Sequence, residues 1–223
     1  MGNCFGLMNN PLFSDIQKTA IDLHASKMKN DNFLIIFFIG GPGSGKGTQS
    51  QKISEKYGLF HIAVGDLLRE EISTGSGRGF TMAKFMNEGD LVPTVLVLDL
   101  IKEKIFLNIE NTNGFVIDGF PREKSQALLF QNDIIPVDLV IYLEVEDNLL
   151  RDRLQGRAVI SGRKDDNYVI ERRIKIFRKN KEALVKYFKQ KLISVNGEHD
   201  VADVFSDVCN AIDQVLEKRE SRV

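Results

Sequence analysis

The stretch Gly40-Gly41-Pro42-Gly43-Ser44-Gly45-Lys46-Gly47-Thr48-Gln49 constrains the fold more than any other part of the chain. The apolar run Phe33–Ile39 precedes it. That run is short, rich in Phe and Ile and closed by glycines, which reads as a strand buried on both faces. Gly45 to Tyr57 reads as a helix ended by Gly58. Strand, glycine loop and helix, in that order, aim backbone N–H groups and the positive end of a helix dipole at one point, where a phosphate can sit. The glycines open backbone angles closed to other residues and leave no side chain between amide and phosphate oxygen. Lys46 adds a mobile positive charge over the outer phosphates.

The rest of the chain bounds what such a loop can serve. With 223 residues, 43% of them hydrophobic, the chain can bury about 70% of its unfolded surface in one substantial core. Lys and Arg total 30 against 31 Asp and Glu, a formal net charge of -1, so no nucleic-acid partner is expected. Two cysteines, Cys4 and Cys209, are too few for a disulfide framework and favour a reducing, cytoplasmic setting. The longest apolar run ends at Gly40, far short of the ~18 residues of a membrane helix. The N-terminus lacks the basic start and long apolar stretch of a signal peptide.

Residues 1–31 read as an appended module. Met1-Gly2-Asn3-Cys4 presents Gly2 for N-myristoylation after loss of Met1, with Cys4 beside it for palmitoylation. The usual motif has Ser or Thr at the sixth position, where Gly6 stands, so a plain tail is the competing reading. Ser14 and Gln17 form a capping-box pattern for a short helix with Ile16, Ala20 and Leu23 on one side.

Further motifs follow in order. A short strand, Leu59–Ile62, leads into Val64-Gly65-Asp66-Leu67-Leu68-Arg69, with Asp66 expected to cap the next helix. Helical stretches follow at Arg78–Asn87 and from Pro93, joined by Asp90-Leu91-Val92. Phe115-Val116-Ile117 is a third strand, and it ends in Asp118-Gly119-Phe120-Pro121-Arg122, four places before Gln126. A carboxylate at that end of a central strand lies beside the glycine loop in a doubly wound sheet. Leu139–Leu143 is a fourth strand and Glu146–Leu154 a helix. Then come Gly156-Arg157-Ala158 and Ser161-Gly162-Arg163-Lys164-Asp165-Asp166-Asn167, the pair Arg172-Arg173 on a long helix, a last strand at Leu192–Val195 and a final helix capped by Asp200. Val201, Val204, Phe205, Val208, Ile212 and Val215 make the core face of that helix.

Taken together, GGPGSGKGTQ, GDLLR, DGFPR and the SGRKDDN segment resemble the nucleoside monophosphate kinases, and the adenylate kinase family in particular, over about residues 32–217. The resemblance implies a three-layer α/β P-loop NTPase fold with a five-stranded parallel sheet. It adds a helical monophosphate-binding insert near 64–93 and a short lid near 156–166, with 218–223 a C-terminal tail. Alternating strands and helices point to the same class independently.

The resemblance also implies reversible transfer of a phosphoryl group from MgATP to AMP by a monomeric enzyme. ATP would be held by Gly43, Ser44, Gly45, Lys46, Gly47, Thr48, Arg157 and the His199 loop. AMP would be held by Val64, Arg69, Asp90, Leu91, Val92, Gly119, Phe120, Pro121, Arg122 and Gln126, together with Arg163 and Arg173. The catalytic charges would be Lys46, Arg122, Arg157, Arg163 and Arg173. Gly47 stands where the general phosphate loop has a Ser or Thr hydroxyl on Mg²⁺, and Asp118 would hold the ion through water. The 156–166 segment has no cysteine, as in the zinc-free short-lid members.

Three departures stand out. Ala158 and His199 replace usual glycines, and the chain is one residue short between Asn167 and the family's active-site arginine, leaving Arg172 and Arg173 as competitors. Gln126 favours an adenine acceptor, since an amide can both donate to and accept from its edge. Val64, where adenylate kinases carry Thr and pyrimidine kinases Ala, leaves a UMP/CMP kinase as the nearer rival. A nucleotide-sensing membrane adaptor without turnover is the other.

Overall fold

The computed structural model describes residues 33–161 and 167–221. Five strands form one parallel sheet: β1 (Leu34–Gly40), β2 (Phe60–Ala63), β3 (Gly114–Asp118), β4 (Leu139–Glu144) and β5 (Leu192–Asn196). Their spatial order is β2-β3-β1-β4-β5. β1 is central, pairing Phe38 with Asp118 of β3 on one side and with Ile141 of β4 on the other. Among the described residues eight helices flank the sheet: α1 (Lys46–Tyr57), α2 (Val64–Ser73), α3 (Gly77–Asn87), α4 (Thr94–Asn108), α5 (Lys124–Asp133), α6 (Asp147–Ser161), α7 (Asn167–Tyr187) and α8 (Val201–Glu220).

The alternation of side chains along a strand divides β1 between two cores. Ile35, Phe37 and Ile39 point to one face, where they pack with Ile101 of α4 and Ala127 and Phe130 of α5. Leu34, Ile36 and Phe38 point to the other, against Ile53 of α1 and Val204, Val208 and Ile212 of α8. Both faces being covered explains why the run Phe33–Ile39 carries no polar residue. This is the three-layer arrangement expected of the sequence, with strand ends within a residue or two of those read from it.

Four local expectations are corrected. Asp66 does not cap α2: the helix starts at Val64 with Ala63 at its N-cap, and Asp66 sits in the first turn, paired with Arg69 at 2.6 Å. Pro93 occupies the N-cap of α4, not its first helical position. Asp200 stands at the N-cap of α8 without a side-chain capping bond, and Val201 is exposed, off the core face. α6 continues past Leu154 through Gly156 to Ser161, because an interior glycine costs a helix only about 1 kcal/mol and the stretch holds no proline.

Candidate active site

The glycine loop leaves the C-terminal end of β1 and turns into α1. Gly43 and Gly45 adopt φ of 84° and 96°, backbone that side chains disfavour. Lys46 folds back over the loop: its Nζ donates to the carbonyls of Gly40 (2.9 Å) and Gly41 (2.7 Å) and to Ser44 Oγ (3.2 Å). Ser44 is thus buried beneath the loop as a brace, while Gly43, Gly45, Lys46, Gly47 and Thr48 line a cleft beyond the strand ends. The cleft measures about 990 Å³, at the upper end of the volumes of small-molecule sites.

Asp118 closes β3 next to the loop. A Cβ placed on Gly47 would lie 3.3 Å from Asp118 Oδ2, so the missing hydroxyl at position 47 is matched by a carboxylate at the same spot. His61 of β2 approaches from the other side, with Nε2 3.8 Å from Asp118 Oδ2.

The same cleft gathers three arginines. Arg69 of α2, Arg122 after β3 and Arg173 of α7 all line the cleft. Arg122 Nε donates to Gly119 O at 2.9 Å. Its side chain is open to the water of the cleft yet crowded by protein atoms, and this desolvation draws its pKa below the usual arginine value. Arg173 and Arg69 push in the same direction and Asp118 opposes them. Three cations held this close, against their mutual repulsion, make a receptor for an anion. Gln126, only 2% exposed, accepts the Arg122 N–H on Oε1 at 2.8 Å. Val64, Asp90, Leu91, Val92, Gly119, Phe120 and Pro121 also line the cleft.

A family model for adenylate kinase matches residues 38–193. Rat adenylate kinase isoenzyme 1 is 41% identical over 184 residues, 81% of this chain and 95% of its own. The isoenzyme 1 protein of Caenorhabditis elegans is 42% identical over 201 residues, 88% of this chain and 96% of its own, and adenylate kinase 1 of Drosophila melanogaster is 41% identical over 189 residues, 83% and 82%. The chain belongs to the adenylate kinase family.

Two neighbouring arginines of α7 have different surroundings. Arg173 lines the cleft, whereas Arg172 forms a two-pronged ion pair with Asp90. Not every expected residue falls in the cleft wall. His199 is exposed beyond β5, its Nε2 3.1 Å from Asn196 Nδ2, and is not among the residues lining the cleft. Arg157 lies on α6, but its side chain falls outside the described atoms; Arg163, Gly2 and Cys4 fall outside the described residues.

Two ionisable residues of the cleft wall are not singled out by the sequence analysis. One is His61. The other is Arg153, which lines the cleft and donates to Gly197 O at 2.8 Å. It stands four places before Arg157 in the sequence, the spacing of same-side pairs on a helix, which is the signal that could have found it. His61 sent no such signal, because only strand pairing brings it to Asp118.

Proposed function

We propose that the cleft carries reversible phosphoryl transfer from MgATP to AMP, giving two molecules of ADP. One observation carries this reading: Lys46 and the arginines 69, 122 and 173, from four separate parts of the chain, face one space beside Asp118. Transfer of this kind is catalysed mainly by positioning and by positive charge around the moving group, and needs no side-chain base or nucleophile. The loop amides and Lys46 hold the donor phosphates, Arg69 and Arg122 hold the acceptor phosphate, and Arg122 and Arg173 stand where charge builds between them. Arg157 and Arg163, with the 156–166 lid, bring further charge and exclude water that would otherwise hydrolyse ATP.

The residues present fit Mg²⁺ as adenylate kinases use it. Among the described residues no three His, Cys, Asp or Glu side chains cluster to cage a metal, and Mg²⁺ typically keeps several waters and takes one or two carboxylates plus substrate phosphates. Asp118 beside Gly47 supplies that carboxylate through water, and the bound ion would neutralise charge on the transferring phosphates.

AMP is the preferred acceptor. With Oε1 of Gln126 engaged by the Arg122 N–H, the amide offers its N–H groups, which suit the ring-nitrogen acceptor of adenine and not the ring N–H of uracil. ADP formation measured with AMP, CMP and UMP tests this: AMP should give the highest kcat/KM, and a higher value for either pyrimidine would overturn it. Gln126→Ala should lower kcat/KM for AMP by about tenfold while KM for ATP stays within about twofold.

The N-terminus tethers the enzyme to a membrane by acylation. No described helix is long and apolar enough to cross a bilayer, and one myristoyl chain binds only marginally, so Gly2 and Cys4 would act together. Gly2→Ala should release the protein from membranes entirely and Cys4→Ser should leave weak, reversible binding, with activity in solution unchanged in both. An intact mass from the native cell with no acyl group on Gly2 would sink this reading.

A further inference from the structure

The turn between α3 and α4 forms the acceptor-side lip of the cleft, with Gly89, Asp90, Leu91 and Val92 in its wall. It is seated on the first turns of α7, 82 residues away in sequence. Arg172 Nε donates to Asp90 Oδ1 and Nη2 to Asp90 Oδ2, each at 2.7 Å, while Nη1 donates to Tyr168 OH at 3.1 Å. A guanidinium fork on a carboxylate fixes direction as well as distance. The lip itself is pinned by Asp90 N donating to Phe85 O at 2.8 Å.

The two backbones come close enough to demand glycine. Gly89 has φ 73°, and a Cβ there would stand 3.2 Å from Val169 O and 3.6 Å from Arg172 Cβ. The Arg172 hydrogen bonds hold the Asp90 carboxyl below its usual carboxylate pKa, so the pair stays charged through neutral pH. The next residue, Arg173, lines the cleft. Successive residues on a helix diverge by about 100°, so one dipeptide can strap the lip with one side chain and reach the reaction space with the other.

We infer that Arg172 is a positioning residue for the acceptor nucleotide: its fork on Asp90 locks the Gly89–Val92 lip to α7 and so sets the distance between the lip and Arg173. The inference rests on the assignment of this wall to AMP. It differs from a surface ion pair in what it moves. Breaking it loosens one substrate site and leaves the glycine loop, which makes no part of this ion pair, as it was.

The experiment measures steady-state constants for both nucleotides, and AMP affinity by calorimetry, on the full chain. Asp90→Asn and Arg172→Met should each raise KM and Kd for AMP by about tenfold, with KM for ATP within about twofold of wild type. The exchanged pair Asp90→Arg with Arg172→Asp should recover most of the loss. Arg172→Lys, which keeps the charge but not the fork, should recover part of it.

An unchanged AMP KM and Kd in both single variants would overturn the inference, as would an equal rise in both nucleotides' KM. So would an AMP affinity in neither the exchanged pair nor Arg172→Lys better than in Arg172→Met. A wild-type protein that makes no ADP would instead refute the phosphoryl-transfer reading, and the AMP Kd would still report on the strap.

Discussion

Lys46→Ala is expected to lower kcat for ADP formation by about two to three orders of magnitude, the loss typical of removing one preorganised charge stabiliser from an active site. The lysine is the one cation carried by the glycine loop itself, and its three donations to Gly40, Gly41 and Ser44 hold the ammonium over the loop. An arriving phosphate meets a positive charge already in place, so little reorganisation accompanies the reaction. The side chain is only half-buried, and the loop carbonyls it leaves can turn to water, so the fold should survive. Steady-state assays paired with a thermal melt check this. A variant melting near wild type but turning over within tenfold of it would refute the role given to the loop.

Phe37→Ala is expected to cost about 3–5 kcal/mol of stability, a large part of the roughly 5–15 kcal/mol that holds a domain together. Phe37 is fully buried at the centre of β1. Its ring meets Phe130 at 4.9 Å, Phe120 at 5.6 Å and Phe188 at 6.0 Å between centroids, all near perpendicular. Edge-to-face pairs add to the area term, and no single neighbour can fill the space left by a ring shared among three. Phe120 immediately follows Gly119, whose carbonyl holds Arg122, so the same substitution should also reduce activity below its melting point. Urea unfolding measures the cost; a loss under about 1.5 kcal/mol would mean that the three rings collapse into the gap.

Much of this protein was legible from its chain alone because the decisive signals are local. The apolar run Phe33–Ile39, the glycines after it and Lys46 specify strand, loop and helix by conformational rules acting over a few residues. DGFPR sits at a strand end, and any strand of a parallel sheet that ends there delivers its residues to the same side as the glycine loop. That reasoning puts Asp118 beside the glycine loop, and the pairing of Phe38 with Asp118 brings the carboxylate to the strand end from which the loop leaves.

Tertiary structure alone decided the rest. Whether Arg172 or Arg173 turns to the cleft depends on the rotation of α7 about its axis, which is set by burial of Val169, Ile170 and Ile174 beneath it. A rotation of about 100° would exchange the two, and nothing in the dipeptide selects one. The approach of His61 to Asp118, the Gly197 carbonyl under Arg153 and the Arg122 N–H on Gln126 likewise exist only once the sheet is assembled. Sequence determined which groups this protein owns and, to within a residue or two, where its strands begin and end. Packing determined which way they point, because direction is a property of the contacts between elements and not of any one of them.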